Sequence, residues 1–133
     1  MKIYITARFK SSADNKVEIE NLCSAVRAAG MHDFHFIRDV ENYQTGFFST
    51  PKDLWQSARQ HIAECDALLI DISDNPSGGR VVEAGIAYAL GKPIYVIVKN
   101  DIDYKDFYNG IADAIIHYDD IGDITDKLKA VCH

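Results

Sequence analysis

Three stretches of this chain, "KIYITA" (2–7), "DALLIDIS" (66–73) and "KPIYVIVKN" (92–100), are largely apolar and rich in β-branched residues. Each is too short for a buried helix and suits a strand covered on both faces. Strands of that kind belong to parallel sheets, because the crossover helices of βαβ units cover both sides. The stretches between them have helical spacing. "DNKVEIENLCSAVRAAG" (14–30) places Val17, Leu22, Val26 and Ala29 on one stripe and stops at Gly30. "TPKDLWQSARQHIAEC" (50–65) offers Thr50 as a cap, Pro51 at the first helical position, and Leu54, Ala58 and Ile62 on one face. "GGRVVEAGIAYALG" (78–91) reads as a helix closed by Gly91, and "DIGDITDKLKAVCH" (120–133) as a terminal helix. "FHFI" (34–37) and "AIIHY" (114–118) supply two further short strands. Strands and helices therefore alternate, and the expected fold is α/β: a flavodoxin-like, doubly wound, five-stranded parallel sheet of order 2-1-3-4-5 in one domain, 1–133.

The connecting segments are less regular. "RDVENYQTGFFST" (38–50) is longer than connection requires. Its Tyr43, Phe47 and Phe48 suit either a lid over an aromatic ligand or a subunit interface. "DIDYKDFYNGIAD" (101–113) is a loop or short helix.

Composition excludes several classes of function. The net charge is −6, with no Lys/Arg run to offset phosphate repulsion, so a nucleic-acid backbone is not an expected partner. No apolar run approaches the roughly 18 residues that span a membrane. The N-terminus is too short and polar for a signal peptide. Cys23, Cys65 and Cys132 are scattered and odd in number, which fits free thiols in a reducing cytoplasm. The five histidines lack metal-binding spacing, so no metal site is expected.

In an open parallel sheet the ligand crevice lies beyond the strand C-termini at the point where strand order reverses. That puts residues 6–10 and the loop 73–79 on one rim, with Glu83 one turn into the helix that starts there. Glu83 is the out-of-place residue, flanked by Val81, Val82, Ala84, Gly85, Ile86 and Ala87. If Val82, Ile86 and Ala89 carry the stripe on the sheet, Glu83 lies about 100° round from it. An exposed carboxylate there would simply complement the helix dipole. The flanks point elsewhere. Gly78 and Gly79 allow close backbone approach, the helix start offers free N–H groups, and Gly85 and Ala87 add no bulk. A carboxylate in such a notch is equipped to attack an anomeric carbon.

"KIYITA" together with "CDALLIDIS" and "SGGRVVEAGIAYALGKPI" resembles the nucleoside 2-deoxyribosyltransferase superfamily, which includes the 2′-deoxynucleoside 5′-phosphate N-hydrolases. The resemblance runs from residue 2 to about residue 110. It implies cleavage of the N-glycosidic bond of a deoxynucleoside or its monophosphate, with no metal or cofactor, in a homo-oligomer of two or more subunits. It implies that Glu83 is the nucleophile, Tyr4 its strand-borne neighbour, and Ser77 a contact to the 5′-phosphate in a hydrolase. Asn109 corresponds to a residue that reaches the sugar in a neighbouring subunit's site of the transferases. The family's acid, usually an Asp, falls on Ala58 here; Asp53 and Asp74 are the candidates in its place. Without an acid the base must leave as an anion, at a cost of roughly 10²–10⁴ in rate. The first strand runs into "RFK" instead of a Gly-rich turn, so Arg8 and Lys10 are either a phosphate clamp or solvated rim charges. Trp55 is either packing or a base-stacking platform. Asp71, at a strand end, is expected to hydrogen-bond the neighbouring loop. A catalytic site, a nucleotide-binding domain without catalysis and a plain oligomerisation module all remain compatible with this fold.

Overall fold

The computed structural model describes residues 1–9 and 15–132; Lys10 lies outside them. Five strands, β1 (Lys2–Thr6), β2 (His32–His35), β3 (Ala67–Asp71), β4 (Ile94–Lys99) and β5 (Ala114–Tyr118), form one sheet. Its order is β2-β1-β3-β4-β5, and every neighbouring pair is parallel. The strands are those expected, with one shift. "FHFI" does not continue as a strand: Asp39 accepts a hydrogen bond from the His35 backbone N–H at 2.9 Å, and Phe36–Asp39 turns into a single helical turn, α2.

Alternation along the strands divides the core in two. Ile3, Ile5, Leu69 and Ile97 face α1 (Lys16–Ala28) and α5 (Ile124–Val131). Tyr4, Leu68, Ile70, Val96 and Val98 face α3 (Pro51–Glu64) and α4 (Gly79–Ala89). Each aliphatic side chain so buried contributes roughly 1.5–3 kcal/mol. Thr50 caps α3 by accepting from the Asp53 N–H at 3.1 Å, with Pro51 at its first position. Ala58 and Ile62 are buried on that helix as expected.

Two helix faces differ from the sequence expectation. On α1 the buried stripe is Ile19, Leu22, Cys23 and Val26, while Val17 is 72% exposed. On α4, Val82 is 47% exposed and the buried residues are Ala84 and Ala87. Glu83 lies about 40° from Ala87 on the side of the helix turned to the sheet, and of the expected stripe only Ile86 packs, while Val82 and Ala89 are exposed. Apolar residues surround α4 on all sides, and hydrophobicity alone does not select which of them turns inward.

Candidate active site

Strand period fixes the floor of the site. Tyr4 and Thr6 are two residues apart on β1 and project to the same side, towards α4. The buried Tyr4 hydroxyl donates a short hydrogen bond to Glu83 Oε2. The Thr6 hydroxyl donates to Glu83 Oε1 at 2.9 Å. Both carboxylate oxygens are thus held, and the carboxylate has one orientation. Burial raises the Glu83 pKa above that of an ordinary carboxylic acid, and the two hydroxyls pull part of that shift back. Tyr4 moves upward too, first through burial and then through the adjacent carboxylate, so its proton stays in place as a donor. Thr6 was not anticipated from the sequence, though its spacing from Tyr4 carries the signal.

Glu83 lines a cleft of about 420 Å³ together with Thr6, Arg8, His35, Glu41, Trp55, Ala58, Asp74, Ser77, Gly79 and Arg80. The volume suits a small molecule. At its mouth Gly78 adopts φ 71° and ψ −128°, a conformation open essentially to glycine alone. This turn starts α4 with its first N–H groups uncapped by any side chain. Trp55 packs against the α3/α4 core and also lines the cleft, its ring 3.8 Å from where a Cβ at Gly79 would lie.

The sequence candidates separate clearly. Glu83, Tyr4, Arg8, Ser77 and Gly79 come together, with Gly78 at the turn. Asp74 lines the cleft but is engaged: Arg80 donates to both its oxygens at 2.7 Å, and Arg8 lies 3.8 Å away. The Arg80 hydrogen bonds hold Asp74 below the usual carboxylate range. Asp53 is exposed at the start of α3 and is not part of the cleft wall. Asn109 is exposed in the 3-10 turn Asp106–Gly110, donating to Asp106 at 2.8 Å and accepting from the Tyr104 hydroxyl at 3.2 Å. It does not reach the cleft of its own subunit. Arg80 was missed as an individual residue. Its guanidinium also donates to the Asp71 carbonyl at 2.9 Å, pinning the 71–80 loop, and its charge favours ionised Glu83.

Tyr43 packs towards α1. Its hydroxyl donates to Glu20 at 2.6 Å, and the Lys16 ammonium sits 4.8 Å from its ring centroid. Phe48 stacks on Phe36, whereas Phe47 is half exposed. Among the described residues no group of His, Cys, Asp and Glu is arranged to hold a metal ion.

The sequence model of the nucleoside 2-deoxyribosyltransferase family matches residues 3–125. The chain belongs to that family. Among solved structures it is similar to a 2-deoxyribosyltransferase from Bacillus psychrosaccharolyticus, with 21% identity, 94% of this chain and 90% of that one covered, and a TM-score of 0.73. It is also similar to the CMP N-glycosidase BcmB of Clostridium botulinum, with 20% identity, 96% and 98% coverage, and a TM-score of 0.67. The solution structure of BlsM matches at 20% identity, 98% and 88% coverage, and a TM-score of 0.75. At these identities the structures establish a shared fold. No curated protein sequence matches the chain. Among the described residues no helix is long and apolar enough to cross a membrane.

Proposed function

We propose that this family member cleaves the N-glycosidic bond of a 2′-deoxynucleoside with Glu83 as nucleophile and passes the sugar to a second base. The observation that carries it is the Glu83 carboxylate, oriented by Tyr4 and Thr6 in the wall of a nucleoside-sized cleft. A Glu83 oxygen attacks C1′, the C1′–N bond breaks, and its electron pair leaves with the base. The sugar is then esterified to Glu83 until an acceptor nitrogen displaces it. Desolvation makes the carboxylate more basic than one in water, and its two hydroxyl donors keep it aimed.

Hydrolysis of a 2′-deoxynucleoside 5′-monophosphate is the second reading. It is favoured by Arg8 and Ser77 lining the same cleft, with the Arg8 side chain 53% exposed at the rim beside Asp74, where a phosphate would meet it. A homo-oligomer is part of the proposal. Val82, Tyr88, Leu90 and Phe107 are large apolar side chains left exposed, and Asn109 stands two residues from Phe107. A partner subunit seated at the Asp106–Gly110 turn would give Asn109 a route to the neighbouring site.

Incubation with deoxynucleosides and their 5′-monophosphates, with and without free acceptor base, tests both readings. A new nucleoside formed only with acceptor identifies the transferase. Free base released from a monophosphate alone identifies the hydrolase. Binding without any product would leave a nucleotide-binding domain and reject catalysis.

A further inference from the structure

Resting on the proposed glycosidic cleavage, we infer that Glu41 is the proton donor to the leaving base, taking the part for which the alignment position offers only Ala58. Glu41 lines the same cleft as Glu83. Among the described residues its carboxyl makes no hydrogen bond and no ion pair, whereas Asp74 in the same cleft is neutralised by Arg80. The backbone holds it in place. Its N–H donates to the Phe36 carbonyl at 3.2 Å and its carbonyl accepts from the Gln44 N–H at 2.8 Å. Asn42 and Tyr43, which follow it, both take left-handed backbone conformations, with φ of 49° and 58°. Such residues persist only where the surroundings compensate the strain, here through the Tyr43–Glu20 hydrogen bond.

Hydrogen bonding distinguishes the two carboxyl groups. The titratable groups of the cleft are Arg8, His35, Asp74, Arg80, Glu83 and Glu41, with Tyr4 behind Glu83. Burial and the Arg38 charge push His35 down to about 4, so it is neutral. Burial raises Glu41, and nothing offsets it. Glu83 is raised as well, but its two hydroxyl donors and Arg80 favour its ionised form. The two carboxyl groups face one cleft, and among the described residues only the Glu83 carboxylate is held by hydroxyl donors, which suits it to stay ionised while Glu41 carries the proton. Glu83 is then the nucleophile and Glu41 the acid. As the C1′–N bond breaks, the Glu41 proton passes to the base nitrogen or an exocyclic oxygen conjugated with it, and the base leaves neutral. The Glu41 carboxylate next accepts the proton of the incoming water or acceptor base as the C1′–O bond to Glu83 breaks. Both carboxyl groups return to their starting states.

The test compares Glu41→Gln and Glu83→Gln on two substrates. One is the natural deoxynucleoside or monophosphate turned over by the wild type. The other is the corresponding 7-methyl-2′-deoxyguanosine compound, whose cationic base leaves neutral without a proton. Glu41→Gln should lower kcat on the natural base by about 10²–10³ and change the methylated substrate by only a few-fold. It should also remove the limb of the kcat/KM profile in which wild-type activity falls as pH rises through the Glu41 pKa. If the methylated base is not turned over by the wild type, this pH profile decides. Equal losses on both substrates, or no loss and an unchanged profile, would overturn the assignment. Inactive Glu83→Gln beside fully active Glu41→Gln leaves the cleavage mechanism standing and removes Glu41 from it. An active Glu83→Gln removes both.

Discussion

The sheet carries two tyrosine–carboxylate pairs at its C-terminal rim, one on each face, and they are put to different use. Tyr118, at the end of β5, donates to Asp71 at 2.7 Å, just as Tyr4 donates to Glu83. Asp71 also accepts from the Ser73 N–H at 3.0 Å and the Ser73 hydroxyl at 2.7 Å. The same Ser73 oxygen accepts from the Lys99 N–H at 2.8 Å. Three strand ends are thereby tied together, and Asp71 holds a loop as its position in the sequence suggested. Among the described residues Glu83 accepts from two hydroxyls only, and it faces a cleft shared with the unpaired Glu41. The chemical pair is the same; the number of donors around the carboxylate and the polarity of the remaining space separate a latch from a nucleophile.

Exchanging the two carboxylates' fates by mutation tests this contrast. Glu83→Ala should abolish turnover, by about 10³-fold or more, while the circular dichroism spectrum and cooperative melting are retained. Retained turnover would erase the distinction. Tyr4→Phe should reduce kcat by roughly 10–10² by freeing one carboxylate oxygen. The ionised nucleophile is required, so kcat/KM falls as pH drops through the raised Glu83 pKa. Loss of the Tyr4 donor moves that acidic limb to still higher pH, which a pH–rate profile reads directly. Asp71→Ala should act oppositely: stability falls by about 1–3 kcal/mol in denaturant titration, and kcat of the folded protein stays within a few-fold. A large kcat effect would show that the two faces are coupled. Arg8→Ala sharpens the picture least. It should raise KM about tenfold for a 5′-monophosphate, consistent with one lost charged hydrogen bond, and leave the free nucleoside unchanged.

How much of this was legible in the sequence follows from local periodicity. The β-branched runs, the cap at Thr50 and the stops at Gly30 and Gly91 mark elements whose geometry is set within a few residues. Strand alternation then places Tyr4 and Thr6 on one face wherever the strand packs. Strand order followed from the same alternation of elements, because parallel strands with short crossovers admit few topologies. Glu83 was found as an anomaly of composition, and its meaning came from resemblance as much as from physics.

What only the tertiary structure decided is which way α4 turns and what meets Glu83 there. With Val81, Val82, Ile86 and Tyr88 spread around the helix, packing against β3 and β4 chose the face, and it chose the one carrying the carboxylate. It also decided that Asp74 is consumed by Arg80, a pairing between groups six residues apart that no period encodes. Glu41 belongs to the same class. It lies in an irregular loop 42 residues from Glu83 in sequence, where no repeat predicts a side chain's surroundings, and only the fold of that loop over the sheet edge brings it to the cleft.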